Sequence, residues 1–182
     1  MTKPAPTFYV LHGEDEFTRS ETLAGFKRRL GGSETADLNT IVFDGKKLTL
    51  GELHHACDAI PFLADRRLVI VEGLLSRLTA RRGQRLSDSK QQLLDALVDY
   101  LPHLPPTTRL VLVEDRVLPS SHPVVRLGKQ ELRGYVKRFE QPDDRALPRW
   151  IRRRAQKHGG SFEPRAAHHL ASVVGANLRL LD

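Results

Sequence analysis

Five short stretches of the chain combine apolar, β-branched and aromatic residues, as buried β-strands do. Three of them are almost continuously apolar, which is typical of strands that are covered on both faces in a parallel sheet. Segments with helical spacing separate them, so the pattern predicts strand–helix units and an α/β fold. The predicted strands cover residues 7–11, 40–43, 68–71, 109–113 and 135–139.

The segments between these strands carry signals of helix ends. Thr49 and Glu52 have the spacing of a capping box at a helix start, and Pro61 ends the same helix. The arginine-rich segment over residues 76–85 predicts an exposed loop or a frayed helix. The predicted helices in this part of the chain cover residues 17–30, 49–60 and 87–101.

The pattern changes near residue 141, where the β-branched runs disappear. Helical spacing then predicts two helices, over residues 148–158 and 164–174, and a third that starts near Asn177. We therefore predict an α/β domain over residues 1–141 and a small helical domain over residues 142–182. Because the last helical pattern is cut off at Asp182, we expect the N-terminal part of a longer protein.

Charge and composition limit the classes of partner and compartment. The chain has 182 residues, with 29 Lys and Arg against 22 Asp and Glu and a net charge of +7, which favours an anionic partner. Its single cysteine, Cys57, excludes a disulfide framework and a Cys-based zinc cage. No apolar run is long enough to cross a membrane, and no signal-peptide pattern opens the sequence. We predict a cytoplasmic protein with no membrane partner.

The first strand-to-helix turn is the position where a P-loop protein binds nucleotide phosphates. That chemistry needs the pattern GxxxxGK[ST], whose backbone N–H groups and lysine contact the phosphates. Residues 13–18 read GEDEFT, with no second glycine, no lysine, and three carboxylates that repel nucleotide. We predict that this position binds no ATP, because acidic residues at a helix start are explained by the helix dipole.

Other candidate chemical groups lack the partners that they would need. Glu114 and Asp115 follow a predicted strand, where a Walker B carboxylate would stand, but there is no phosphate cradle beside them. His54 and Cys57 share a helix face, yet a structural zinc needs four ligands and no second pair is suitably spaced. We predict no catalytic residue, no metal site and no cofactor.

Two large apolar residues, Phe62 and Leu63, stand between a helix-ending proline and a predicted buried strand. Two interpretations fit this corner of the fold. In the first, the pair seals the end of the helix as a hydrophobic plug, and sequence physics alone favours this. In the second, the pair is exposed and enters a pocket on a partner protein, as interface hot spots do.

The region from Arg145 to Lys157 carries six positive charges and no negative one. Arg149, Arg152 and Arg153 lie on the helix that is predicted there, and a basic helix face is suited to a phosphate backbone. A solvated helix face explains the same residues equally well.

Four segments, in order along the chain, resemble the delta subunit of the bacterial DNA polymerase III clamp loader. They are YVLHGEDEF at residues 9–17, PFLADRRLVIV at residues 61–71, LPRWI at residues 147–151 and GANLRLL at residues 175–181. Each motif alone is weakly specific, but their order and spacing over almost the whole chain make a chance match improbable.

The resemblance implies a P-loop NTPase-like (AAA+) parallel sheet flanked by helices and followed by a small all-helical lid. In the family a helical collar domain comes next and joins the loader pentamer, so the chain resembles a delta subunit without its collar. Delta subunits do not hydrolyse ATP. They belong to a holoenzyme that carries out DNA-directed DNA synthesis, a nucleotidyltransferase reaction, and the resemblance implies no catalysis by this chain.

The resemblance also implies that the chain binds and opens the sliding clamp for loading onto primed DNA. The clamp-binding apolar pair of the family falls on Phe62 and Leu63, in the reverse of the commoner Leu-Phe order. The implied partners are the sliding clamp, the tau or gamma and delta prime subunits, and primer–template DNA. As a separate hypothesis, the basic helix with Arg149, Arg152 and Arg153 faces the DNA in the assembled loader. The alternatives are an active P-loop or AAA+ nucleotide hydrolase and a freestanding basic DNA-binding domain.

Overall fold

Five parallel strands form one sheet in the computed structural model, which describes residues 5–80 and 83–182. The strands are β1 (Phe8–Gly13), β2 (Thr40–Asp44), β3 (Arg67–Glu72), β4 (Thr108–Glu114) and β5 (Gly134–Phe139). Their order across the sheet is β2-β3-β4-β1-β5, and every neighbouring pair is parallel. Each predicted strand is present, to within one or two residues at its ends.

Helices connect the strands and continue beyond the sheet. They are α1 (Glu16–Arg28), α2 (Ser33–Leu38), α3 (Leu50–Asp58), α4 (Leu74–Arg77), α5 (Asp88–Tyr100), α6 (Pro123–Gln130), α7 (Leu147–Lys157) and α8 (Pro164–Val174). The capping box that was expected at Thr49 and Glu52 forms at the start of α3. Hydrophobic periodicity did not predict α2, α4 or α6, because four to eight residues are too few to show it.

The sheet is covered on both faces, which explains why its three central strands, β1, β3 and β4, are almost continuously apolar. One face packs against α1 through a cluster that includes Leu11, Leu68 and Val111. The other face packs against α3, α5 and α6 around residues such as Val10 and Leu112. Because all five strands are parallel, they all begin at one end of the sheet and finish at the opposite end. We call these two ends the amino edge and the carboxyl edge.

Of two expectations about irregular segments, one holds over most of its length and one needs correction. The segment predicted as a loop or frayed helix is irregular over residues 78–80 and 83–85, and only Ser76 and Arg77 belong to α4, whose Leu74 and Leu75 are buried. Residues 81 and 82 of that segment lie outside the described residues. The helix expected at Asn177 is a single turn, closed by the backbone N–H of Leu180 on the Asn177 carbonyl.

The C-terminal helical portion has an apolar cluster of its own and contacts α1. The cluster contains Leu147, Ile151, Ala167, Leu178 and Leu181. The rings of Phe17 and Trp150 meet edge to face, 6.1 Å apart, and join this portion to the start of α1. In the part of the chain that the structure describes, no helix is long and apolar enough to cross a membrane.

Candidate functional site

An exposed apolar segment lies at the amino edge of the sheet, between α3 and β3. The helix ends at Asp58 because Ala59 is extended, with φ −66° and ψ 141°. Of the next residues, Ile60 is 89% exposed, Phe62 59% and Leu63 83%. Neither Phe62 nor Leu63 seals the end of α3, so the plug interpretation is wrong. We call residues 60–63 the anchor segment.

The side chain of Asn39 holds the anchor segment in place through the backbone of Phe62. The Phe62 N–H donates to Asn39 Oδ1 at 2.7 Å, and Asn39 Nδ2 donates to the Phe62 carbonyl at 2.7 Å. The same Nδ2 donates to the Thr35 carbonyl at 2.8 Å. Asn39 is only 2% exposed, so its side chain is buried while the hydrogen bonds that it forms are partly buried. The backbone is fixed while the Phe62 ring stays outside.

Leu63 has a left-handed backbone conformation, with φ +49°. Within the described residues no other non-glycine residue has a positive φ. A β-carbon in this region costs about 1–2 kcal/mol, and such conformations persist where the surrounding structure imposes them. Here the neighbouring Phe62 backbone is fixed by Asn39, and the turn leaves the leucine side chain in solvent.

The sequence singled out Phe62 and Leu63 but missed Ile60 and Asn39. Ile60 carried a usable signal, because an isoleucine before Pro61 is pushed into extended backbone and out of the helix. Asn39 carried little signal, since its role depends on a contact with a residue 23 positions away. Its neighbour Leu38 is also exposed and enlarges the apolar surface at this corner.

The turn from β1 to α1 lies at the carboxyl edge, and its own side chains occupy it. Gly13 has φ +130°, and a β-carbon there would meet the Phe139 carbonyl oxygen at 2.0 Å, so only glycine fits. Asp15 caps α1 by accepting a hydrogen bond from the Thr18 N–H at 2.9 Å. Arg19, which is buried, donates to the Gly13 carbonyl at 2.5 Å. An internal carboxylate thus satisfies a helix end that would otherwise attract an anion.

The next acidic residue in this turn, Glu16, is bound from the C-terminal helical portion. Arg179 Nη2 donates to both carboxylate oxygens of Glu16, at 2.6 and 2.8 Å. These hydrogen bonds hold the pKa of Glu16 below its usual value. The start of α1 is therefore crossed by an ion pair between the two parts of the chain.

Glu114 stands at the Walker B position and serves as a helix cap. Its side chain is fully buried at the end of β4. Its two oxygens accept hydrogen bonds from the N–H groups of Leu75 and Ser76, at 2.7 and 2.9 Å. Burial raises the pKa of Glu114, and these donors oppose the rise. The carboxylate is thus engaged with the start of α4.

His54 and Cys57 pack into the protein near Tyr100. The His54 and Tyr100 rings lie 3.9 Å apart. Cys57 is fully buried, and burial raises the pKa of its thiol to about 12. Across residues 5–80 and 83–182, the structure contains no group of three His, Cys, Asp or Glu side chains suited to a metal ion.

The basic helix α7 divides into two sets of charges. Arg154 and Lys157 both pair with Glu21 of α1, at 2.8 Å each, and join the helix to the core. Arg149, Arg152 and Arg153 are exposed, and their spacing of three and four residues puts them on one face of the helix. These three side chains form no ion pair within the part of the chain that the structure describes.

Comparison with known proteins gives the family. The sequence profile of the family described as DNA polymerase III, delta subunit, matches residues 9–120, which is more than half of the chain. The chain belongs to the delta-subunit family of DNA polymerase III. Phe62 and Leu63 lie inside the part that matches this family, whereas α7 and α8 lie outside it.

Individual delta-family relatives agree with this assignment. DNA polymerase III subunit delta of Bacillus subtilis (strain 168) is 30% identical over 105 residues, which are 58% of this chain and 29% of that protein. The solved structure of the Bacillus subtilis DNA clamp loader delta protein (YqeN) matches with a TM-score of 0.79 at 21% identity. That match covers 97% of this chain and 51% of the solved one. The chain thus spans about half the length of the solved relative and less than a third of the curated one.

A more distant likeness concerns the fold alone. A chain of the E. coli MS115-1 HORMA:CdnC:Trip13 complex matches with a TM-score of 0.51 at 15% identity, over 95% of this chain and 61% of that one. The delta-family chain therefore has the predicted fold class, an AAA+-like parallel sheet flanked by helices with a helical portion at its C-terminus.

Proposed function

We propose that this chain binds the sliding clamp through Phe62 and Leu63 and opens it for loading onto primed DNA. The main support for the proposal is the anchor segment. Its Phe62 and Leu63 side chains are exposed, while the Asn39 side chain holds the Phe62 backbone in place. A fixed backbone lowers the entropy that is lost when such side chains enter a pocket. Membership of the delta family agrees with this function.

The expected energy of the contact follows from the apolar surface. Full burial of a Phe and a Leu side chain contributes on the order of 3–6 kcal/mol. Clamp opening requires that the chain bind the open or strained ring more tightly than the closed ring, because a ligand shifts an equilibrium only by its differential affinity. We therefore propose two steps. Phe62 and Leu63 first bind the clamp, and the bound chain then shifts the population of clamps toward the open ring.

The decisive experiment measures affinity between the purified chain and a bacterial sliding clamp. We expect Phe62→Ala with Leu63→Ala to weaken binding at least about 100-fold, which corresponds to roughly 2.7 kcal/mol. The matched control is Val173→Ala with Leu180→Ala, which truncates two other exposed apolar side chains and should leave affinity unchanged. Equal affinity of the anchor variant and the parent chain would refute the proposal.

A nucleotide hydrolase is the alternative from another class, and the carboxyl edge speaks against it. Asp15 caps the helix end, Glu16 pairs with Arg179, and Glu114 caps α4. We propose that the chain carries out no catalysis of its own within the DNA polymerase III holoenzyme. Titration with a fluorescent ATP analogue and Mg²⁺ should give no saturable signal, whereas saturable binding with Mg²⁺-dependent hydrolysis would favour the hydrolase.

The remaining proposals concern the assembled loader. We propose that the tau or gamma and delta prime subunits are partners, and that Arg149, Arg152 and Arg153 face primer–template DNA there. Because DNA replication takes place in the bacterial cytoplasm, we propose that the chain is cytoplasmic. The division into domains at residues 141 and 142 stays a prediction. A freestanding DNA-binding domain would instead bind duplex DNA tightly without a clamp.

A further inference from the structure

Arginines gather at the amino edge of the sheet, on the face that α1 covers. Arg109 of β4 is paired with Leu68 of β3, and Arg66 stands two positions before Leu68 in the sequence. Side chains two positions apart along a strand point to the same face. Strand geometry therefore puts the Cα atoms of Arg66 and Arg109 within roughly 10 Å of each other.

The end of α1 brings a third arginine to the same place. The ring of Phe26 lies 4.6 Å from the ring of Tyr9, near the start of β1, and Arg29 follows Phe26 by about one helical turn. Burial raises the pKa of Tyr9, and the positive charges of all three arginines oppose that rise. We call Arg29, Arg66 and Arg109 the arginine cluster.

The arginine cluster has no carboxylate partner within the described residues. Arg109 is buried, and its Nη1 donates only to the carbonyls of Pro106 and Thr108, at 2.8 and 2.7 Å. Arg29 and Arg66 are exposed. The ion pairs that the structure shows lie at the carboxyl edge or involve α1 and the C-terminal helices. Asp65 is next in sequence to the cluster but pairs with none of its members.

The cluster is continuous with the anchor segment. Arg66 stands three positions after Leu63, so their Cα atoms are at most roughly 11 Å apart. We infer that the arginine cluster binds an acidic surface of the same protein that takes Phe62 and Leu63, so that carboxylates border the apolar pocket of that partner. This inference rests on the proposed function and adds the electrostatic half of the contact.

The expected consequence is in the rate of association. Charges at the rim of an interface act mainly by steering the encounter, and salt screens their effect. Apolar anchors act mainly on dissociation. The two parts of the contact should therefore separate in kinetics, with the arginines setting the association rate and the anchor segment setting the dissociation rate.

The test measures the association and dissociation rates of the purified chain on surface-immobilised clamp at several salt concentrations. Arg29→Ala with Arg66→Ala should lower the association rate about 3- to 10-fold at ~50 mM salt and converge on the parent rate near ~0.5 M. Arg109 is left intact because it is buried. Lys46→Ala with Lys47→Ala, two exposed positions at the carboxyl edge, removes the same charge and should leave the rate within about two-fold of the parent.

The outcomes separate this inference from the function on which it rests. If the parent chain fails to bind the clamp, or if the Phe62 and Leu63 variant binds equally well, the proposed function fails. If the parent binds through the anchor segment but the two arginine substitutions behave like the two lysine substitutions, only the inference is overturned. An arginine effect seen with primed DNA and not with the clamp would assign the cluster to nucleic acid and overturn it as well.

Discussion

The side chain of Asn39 binds the backbone of Phe62 at both its N–H and its carbonyl, with both distances 2.7 Å. This contact joins the residue before β2 to the residues before β3, two strands that are neighbours in the sheet. It makes the exposed anchor segment a fixed part of the core.

Asn39→Ala should therefore uncouple the anchor segment from the sheet. It removes three side-chain hydrogen bonds, and we expect a loss of about 1–3 kcal/mol in the free energy of unfolding. Clamp affinity should fall at least several-fold although Phe62 and Leu63 are unchanged. Urea unfolding and clamp binding, measured on the same protein, check this.

A double-mutant cycle with Phe62→Ala supplies the control for that prediction. If Asn39 acts by positioning Phe62, its substitution should cost much less clamp affinity in the Phe62→Ala background. Fully additive effects on affinity would contradict the positioning role, whatever happens to stability.

Leu63→Gly should make the chain more stable while it weakens clamp binding. Glycine adopts φ +49° without the cost of a β-carbon, which is about 1–2 kcal/mol, but loses about 0.5–1 kcal/mol through its freer unfolded state. We expect the free energy of unfolding to rise by up to about 1 kcal/mol. Leu63→Ala keeps the strained conformation and should change stability by less than about 0.5 kcal/mol.

Both Leu63 variants should lose clamp affinity to a similar extent, because both remove the apolar side chain. A titration against the clamp and a denaturation curve for each variant separate the two effects. A decrease in stability for Leu63→Gly would show that the left-handed turn is unstrained.

The predictability of the fold differs between the sheet and its connections. Hydrophobic runs reported the strands most clearly for β1, β3 and β4, which lie in the middle of the sheet, are covered on both faces and are almost continuously apolar. The short helices α2 and α4 left no periodic signal. The position of Glu114 beside a predicted strand suggested a Walker B carboxylate, whereas in the structure Glu114 caps α4. That role joins positions 38 or 39 residues apart, which local patterns cannot report.

The candidate site shows the same limit. Phe62 and Leu63 could be singled out because large apolar residues beside a helix-ending proline are unusual, but their exposure could not be read from that pattern. The backbone of Phe62 is held by Asn39, a residue 23 positions away, and a local pattern cannot report such a contact. Likewise, the five basic residues of α7 looked alike in sequence, and only the fold shows that Arg154 and Lys157 meet Glu21.

Arg154→Met should weaken the contact between α7 and α1 in a way that depends on pH. Burial tends to raise the pKa of Glu21, but hydrogen bonds from Lys157 and Arg154 outweigh it and hold that pKa below 4.5. A lowered pKa in the folded state stabilises the protein above pH 4.5, and this stability is lost as pH falls through the folded pKa. We expect the variant to lose about 1–2 kcal/mol at pH 7.

The loss should shrink as pH falls below 4.5, where protonated Glu21 no longer pairs in the parent chain. Urea unfolding at pH 7, 5, 4 and 3 measures this. Arg152→Met is the matched control, since Arg152 is exposed on the same helix and should show a small difference from the parent that does not change with pH. A constant loss for Arg154→Met at every pH would mean that the pair with Glu21 does not carry its effect, which would then lie in packing or in the second ion pair of Arg154, with Asp182.

Arg152→Ala with Arg153→Ala tests whether α7 faces DNA in the assembled loader. If each arginine contacts a phosphate, affinity for primed DNA should fall, and the slope of log affinity against log salt should become shallower by about 0.9 for each lost contact. Lys157→Ala is the control, because Lys157 is held by Glu21 and should leave the slope unchanged. Clamp affinity of the isolated chain should be the same in all three proteins. An unchanged slope for the double variant would identify this surface as a solvated helix face, since loss of a phosphate contact cannot leave the salt dependence intact.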